Sequence, residues 1–249
     1  MSKPVITADD FGFSHEVNVA IIETLQRGLV TQASLMPNMP AFEEACELAD
    51  SAGVRDRLGV HLVLTTGVPL TQSIRSCQRI CDAEGRFKYW RSKVGLLRLS
   101  GVEQASMGNE LRAQVARCRD HGIHPTHLDS HHHIHNRFAV CRIVIAVARE
   151  LGVPRVRIAH NCRPAAPVAV RTYKWSVNFA LRRAALAQTR WFGGAGDYFT
   201  LRAADPTQPR LESFEFNVHP IVRDGLLVDG DHPESPHELF RQLAVIRGI

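Results

Sequence analysis

An α/β architecture, with a parallel sheet covered by helices, is the fold class this sequence predicts. Three observations carry it. Short apolar strand candidates alternate with amphipathic stretches from residue 4 onward. The chain has 249 residues, 45% hydrophobic and 22% charged, which is enough for one sizeable core and is a length that α/β barrels often use as a single domain. Chemistry-bearing side chains also fall at the carboxyl ends of four predicted strands, where parallel sheets gather their functional groups. Periodicity alone does not decide whether such a sheet closes into a barrel or stays open.

The elements follow in order. "PVITA" (4–8) reads as a short buried strand. "HEVNVAIIETLQRG" (15–28) sets Val19, Ile22 and Leu25 at helical spacing before Gly28, with Ser14 placed to cap it. "LVTQASLMPN" (29–38) is a second strand, "AFEEACELADSAG" (41–53) a helix closed by Gly53, and "LGVHLVLT" (58–65) a third strand. From 66 to about 101 the alternation loosens into an insertion with short helical pieces, of a size that often serves as a lid or binding segment. It resumes with a helix over 103–121, the strand "PTHLDS" (125–130), a helix over 137–151 and the strand "RVRIA" (155–159). A second irregular insertion, about 159–176, leads to a helix over 177–186. "DYFTL" (197–201) and "LESFEFNVHP" (211–220) are strand candidates, and a last helix spans about 236–246. No internal repeat or low-complexity tract interrupts the pattern, so 1–249 is expected to be one domain.

Composition excludes some partners. The net charge of +5 is a mild bias, spread along the chain except at Arg182, Arg183 and nearby Arg190. No interleaved aromatic and basic motif of the nucleic-acid-binding kind occurs, so no nucleic-acid partner is expected. The most apolar stretch, "FAVCRIVIAVARELG", is interrupted by Arg142 and Arg149 and is too short to span a bilayer. "MSKPVITADD" shows no secretory signal, and six scattered cysteines suit reduced, mostly buried thiols, so a cytoplasmic location is expected. Cys77 and Cys81 are the one close pair, and the other four offer no second half of a zinc knuckle.

Four strand ends carry chemistry: Asp9-Asp10 in "TADDFG", His61 in "GVHLVLT", Asp129 running into His131, and His219 before Pro220. Each has a plain alternative, a helix cap or turn for the aspartates and a satisfied core residue for a lone histidine. Four strand ends would need four such explanations at once. "THLDSHHHIH" is the strongest single signal, with five histidines in ten residues. Neutral imidazole is the commonest metal ligand near neutral pH, and a mixed histidine and carboxylate set suits Zn²⁺, Fe²⁺, Mn²⁺, Co²⁺ or Ni²⁺, with Mg²⁺ less natural. Not all five can hold one ion. His131 would emerge at the rim if "HLDS" ends the strand, and His131 with His135 would share a face if the run is helical. Three protein ligands with open positions mark a catalytic metal site.

"TADDFG", "GVHLVLT", "THLDSHHHIH" and the late "HP" resemble, in order, the motifs of the YdjC-like carbohydrate deacetylases, which include chitooligosaccharide deacetylases and deacetylases of hopanoid biosynthesis. The resemblance runs from the start of the chain to about residue 220. It implies a distorted (β/α) barrel and a metal-dependent hydrolase that removes acetyl groups from N-acetylated sugars or glycoconjugates. It further implies one divalent ion, zinc or magnesium, held by Asp10, His61 and His131, with Asp9 as general base and His219 as acid. Asp129, and with it His135, would stand behind the ligands, Asp129 orienting His131 or another histidine. Phe11, Phe13, Tyr89, Trp90 and Trp191 could offer faces to a sugar ring. The Arg-rich segment 163–199 carries no motif of the family, and its charge would favour an anionic or carrier-linked sugar. A homodimer is compatible with this reading. Two alternatives share the scaffold: hydrolysis of an O-acetyl ester or another amide, and non-catalytic sugar or metal binding.

Overall fold

The computed structural model describes residues 3–88, 98–162, 166–231 and 238–249. Six parallel strands, β1 (Val5–Phe11), β2 (Gln32–Leu35), β3 (Leu58–Leu62), β4 (Leu128–Ser130), β5 (Trp191–Gly194) and β6 (Phe214–Val218), form one sheet in the order β4-β3-β2-β1-β6-β5. The helices are α1 (His15–Gln26), α2 (Phe42–Ser51), α3 (Gln72–Arg75), α4 (Gly101–Asp120), α5 (Phe138–Glu150), α6 (Val168–Arg183), α7 (Ala195–Ala204) and α8 (Glu238–Arg247). An antiparallel hairpin, β7 (Pro220–Arg223) and β8 (Leu226–Asp229), follows β6.

The sheet curls until its two edges are joined by the segment 155–161. On one side Leu128 N donates to Arg155 O and Arg157 N to Leu128 O, each at 2.9 Å. On the other, Val156 N donates to Leu186 O at 2.6 Å, Gln188 N to Val156 O at 3.0 Å, and Asn161 N to Phe192 O at 3.0 Å. The result is a distorted parallel barrel in which β1, β2 and β3 are buried along nearly their whole length, polar residues included. "RVRIA" therefore does the work of a strand through a single bridging residue, Val156, rather than a full ladder.

Local sequence explains where the helices begin. Ser14 accepts from Val17 N at 3.4 Å, and Ser100 and Glu103 form a reciprocal cap on α4, which starts at Gly101, two residues before the expected boundary. Two expectations are corrected. "DYFTL" is helical within α7: Asp197 reaches back to Gly194 N at 2.8 Å, so this cap overrides the β-favouring aromatic composition of the segment. The helix expected at 177–186 is α6 and begins at Val168, inside the stretch read as irregular. Its first turns put apolar side chains toward solvent, which disguises their helical period. The β7–β8 hairpin was not expected, although Asp224-Gly225 between apolar pairs is a strong hairpin signal; both residues are left-handed, at φ 49° and 73°. Within the insertion read at 66–101, α3 and the Cys81–Phe87 bridge are formed; Tyr89 and Trp90 lie outside the described residues, as does the expected start of the last helix at 236.

Gly59 shows how tightly the floor of the barrel is packed. A Cβ there would lie 2.5 Å from Nδ1 and 2.6 Å from Nε2 of buried His127. That imidazole is held by Thr126 Oγ1 at 2.9 Å and lies 3.3 Å from Gln32 Nε2, so it has little room to retreat. Gly59→Ala is expected to cost about 1–3 kcal/mol through overpacking. A lowered urea midpoint at unchanged slope is the readout.

Candidate metal centre

The site begins with a distortion of β1. In a regular strand Asp9 and Asp10 would point to opposite faces. Here the register slips between Ala8 and Phe11, and Asp10 adopts φ 70°, a left-handed conformation that costs a non-glycine residue free energy. Both carboxylates consequently turn toward His61. Asp9 lies inside the barrel and is almost fully buried, while Asp10 stays accessible at the rim.

Asp10, His61 and His131 each offer one ligand atom, and these atoms lie within 4.8 Å of one another. Asp10 Oδ1 is 3.2 Å from His61 Nε2 and 2.9 Å from His131 Nδ1. Asp129 Oδ1, 2.8 Å from His61 Nδ1, accepts a hydrogen bond from it. With the proton fixed on Nδ1, Nε2 turns its lone pair to the carboxylate of Asp10, and only a cation or a second proton relieves two facing acceptors. The donor set therefore fits a divalent ion. Without one, burial opposes the charge on His61, but Asp129 and Asp10 outweigh it and push its pKa up to about 10. Burial likewise opposes ionisation of Asp10, yet hydrogen bonds from His131 and His61 hold its carboxyl well below the usual range.

Beneath this rim lies Arg157, fully buried and absent from the residues singled out in the sequence. It grips Asp9 through two nitrogens at 2.8 Å each, approaches Asp129 Oδ2 at 2.6 Å and donates to Glu215 Oε1 at 2.8 Å. Burial would suppress its charge, but the three carboxylates raise its pKa well above the ordinary value. Burial raises Asp9 too, and the Arg157 charge reverses that to a net lowering. Asp9 also accepts from Asn217 Nδ2 at 2.9 Å and from Ser34 Oγ at 3.2 Å. At Glu215 burial prevails over Arg157, so its pKa is raised.

His219 stands across the cavity, with Nε2 3.9 Å from Asp9 Oδ2. The hairpin positions it: Asp229 of β8 accepts from the backbone N of His219 at 2.9 Å, and Asp231 lies 2.9 Å from Nδ1. Burial disfavours its charge, but Asp231, Asp9 and Asp10 together push its pKa up to about 9. Asp9, Asp10, His61, His131 and His219 line one cavity of about 530 Å³, along with His160, which is paired to Asp197 at 2.8 Å.

Of the rest of the histidine run, His132 and His133 line the same cavity, and His127 and His135 are buried. Residues 131–136 do not form an α-helix, because His132 and His133 are left-handed at φ 55° and 50°. His131 and His135 are therefore not a helical pair. His135 is buried, with Nδ1 2.6 Å from Ser130 Oγ, and the Asp129 carboxylate orients His61 rather than His131. Of the aromatic candidates within the described residues, Phe11 is core, Phe13 is exposed and Trp191 is half-buried.

Comparison with known proteins gives one family, described as YdjC-like protein, that matches residues 4–234. A protein of Brevibacillus brevis named carbohydrate deacetylase is 41% identical over 152 residues, 61% of this chain and 58% of the relative. One of the same name from Geobacillus stearothermophilus is 38% identical over 163 residues, 64% of this chain and 61% of the relative. A Klebsiella pneumoniae protein named chitooligosaccharide deacetylase is 37% identical over 153 residues, 60% and 56% of the two chains. The matched stretch thus spans less than two thirds of these relatives. A crystal structure from Enterococcus faecalis, provisionally described as a cellobiose-phosphate cleavage protein, superposes with a TM-score of 0.72 at 23% identity, covering 100% of this chain and 95% of that one, and so shares the fold.

Arg157→Met would strand three buried carboxylates, and removing one partner from such a cluster costs about 3–5 kcal/mol. Arg157→Lys should recover only part of the loss, since an ammonium cannot reproduce the two-pronged grip on Asp9. Urea unfolding of both variants measures the difference.

Proposed function

The chain belongs to the YdjC-like protein family, and on that premise we propose that it hydrolyses the acetamide of an N-acetylated amino sugar or glycoconjugate, using one divalent ion held by Asp10, His61 and His131. The observation that carries the reading is the convergence of those three ligand atoms beside a buried aspartate, Asp9, and a charged histidine, His219. The similarity to proteins named carbohydrate deacetylase supports the substrate class. By ligand type, one carboxylate and two imidazoles suit zinc, with magnesium the alternative.

When bound, the ion would lower the pKa of a water and polarise the acetamide carbonyl. Asp9 takes the proton released as that water attacks the carbonyl carbon. Arg157 and Asn217 keep its carboxylate ionised and aimed at the cavity. His219, protonated at neutral pH and lying across from Asp9, delivers its proton to the amide nitrogen as the C–N bond breaks. Acetate and a free amine leave. Asp231 and Asp229 hold the His219 ring and backbone for this transfer. His61 keeps its orientation through Asp129. A cytoplasmic location belongs to the same proposal; six free, mostly buried thiols support it.

Mass spectrometry of N-acetyl and O-acetyl sugars, with the metal varied, tests the reaction; release of acetate only from esters would sink it. Asp9→Asn should lower kcat by at least about 10²-fold while the bound metal, measured by elemental analysis, is unchanged.

The acid role of His219 has its own signature. Its raised pKa means the imidazolium is present below, and lost above, a value that a bound dication shifts downward from about 9. The kcat profile should fall on the alkaline side at or below pH of about 9, and His219→Gln should abolish that limb along with most of the activity. An alkaline limb retained in His219→Gln would assign it to another group.

A further inference from the structure

We propose that α6 docks this protein on an anionic lipid bilayer. Besides its buried face, the helix carries a second apolar stripe on its solvent side. Its inner side is fixed by buried Val177, Leu181 and Asn178, whose amide pairs with both backbone groups of Ala159 in the barrel-closing segment, at 2.7 and 2.9 Å. Opposite Val177, within an arc of about 40°, lie Val168, Trp175 and Phe179, which are 74%, 59% and 45% exposed. The indole of Trp175 stacks on Phe179 at 5.2 Å, and the Arg183 guanidinium lies over the Phe179 ring at 5.9 Å, which extends the stripe by one turn.

The charge on this helix decides what it faces. Arg171, Lys174, Arg182 and Arg183 all belong to α6, and it contains no Asp or Glu. A second copy of the chain meeting it about a two-fold axis would set these cations against themselves. A nucleic acid would satisfy the charge but leave Val168 uncovered. An anionic bilayer takes both: aromatic rings settle at the headgroup boundary, apolar side chains enter the acyl edge, and guanidinium and ammonium groups meet the phosphates. The same helix walls a cavity of about 760 Å³ that also includes Arg190, Trp191 and His160, the last of which is shared with the cavity of the metal ligands. Docking through α6 would hold that cavity at the membrane surface. The inference is independent of the reaction proposed above, and its test reads no catalysis.

The test is co-sedimentation of the full chain with vesicles of equimolar phosphatidylglycerol and phosphatidylcholine, against vesicles of phosphatidylcholine alone. Binding to the anionic vesicles, weakened by added salt, is expected, with little binding to the neutral ones. The double variant Trp175→Ser/Phe179→Ser should lower the partition coefficient at least about tenfold. Arg171→Gln and Arg183→Gln should each lower it about fivefold. Unchanged thermal melts by circular dichroism would show that these exposed substitutions leave the fold intact. Four results would overturn the inference: no binding to anionic vesicles, equal binding to neutral ones, wild-type binding by the double variant, or an oligonucleotide that displaces the vesicles. Light scattering that shows a dimer dispersed by the double variant, without vesicle binding, would assign the face to self-association instead.

Discussion

A single guanidinium buried among three carboxylates is the interaction on which the rest of the structure depends. Arg157 sits on the segment that closes the barrel, and its partners Asp9, Asp129 and Glu215 come from β1, β4 and β6. Taking so many charges out of water costs several kcal/mol for each ion before any attraction is counted. The cost is offset only because the geometry is dense, with contacts of 2.6 to 2.8 Å and a fork that matches Asp9 in both prongs. The closing segment has one bridging residue where a regular strand would have a ladder, so this clasp supplies cohesion that backbone pairing does not. The Phe192 ring, 5.2 Å from the guanidinium, adds a cation–π contact from β5.

The same cluster sets the electrostatics of the rim above it. Three carboxylates meet one guanidinium, and Asp10 adds a fourth at the rim above them, an imbalance that favours positive charge close to Asp10 and His61. A proton on His61 would meet part of it; a dication, held as proposed by Asp10, His61 and His131, would meet more. Asp9 is held in tension between two demands. Four donors, two from Arg157 and one each from Asn217 and Ser34, occupy its oxygens and favour the ionised form. In the proposed role of general base Asp9 would instead accept a proton, so one donor would have to yield. Asn217 is only half-buried and, among the described residues, is the one neutral donor on Oδ2, the oxygen that faces His219, which makes it the contact with most freedom to give way.

Most of the barrel was legible because its strands are buried on both sides and its helices mostly carry one apolar stripe. The strands around Ile6, Ala33 and Val60 and the helices α1, α2, α4 and α5 lie where those patterns place them, within a few residues at their ends. The gathering of Asp10, His61 and His131 was legible for a different reason: parallel strands bring their carboxyl ends to one face whatever the intervening loops do. Arg157 was not. Arg155 and Arg157 alternate with Val156 and Ile158, so parity places both arginines on one side of the strand, yet Arg155 is exposed and Arg157 fully buried. Depth along the barrel axis separates them, and a period of two carries no information about depth. Glu215 and Asn217 escaped for the same reason, as polar residues on a strand whose inward face happens to be charged.

The density of histidine in "THLDSHHHIH" looks like a demand for metal ligands, but one imidazole of the five meets Asp10. The others are largely kept neutral. Burial pulls His127, His132 and His133 down to about 4 and His135 to about 3, so at neutral pH none of them adds charge to an interior already crowded with it. Neutral imidazole is a bulky, flat group with one donor and one acceptor, which suits the inside of a polar barrel better than an ammonium or a carboxylate would. His132 reaches Thr65 at 2.9 Å, His135 reaches Ser130, and His133 packs edge-on against Phe192. The two left-handed residues in the middle of the run turn consecutive rings in different directions, so that His131 meets Asp10 while His132 and His133 line the same cavity without reaching it. The run thus brings one imidazole to Asp10 and surrounds it with uncharged ones, which add no positive charge beside the proposed ion.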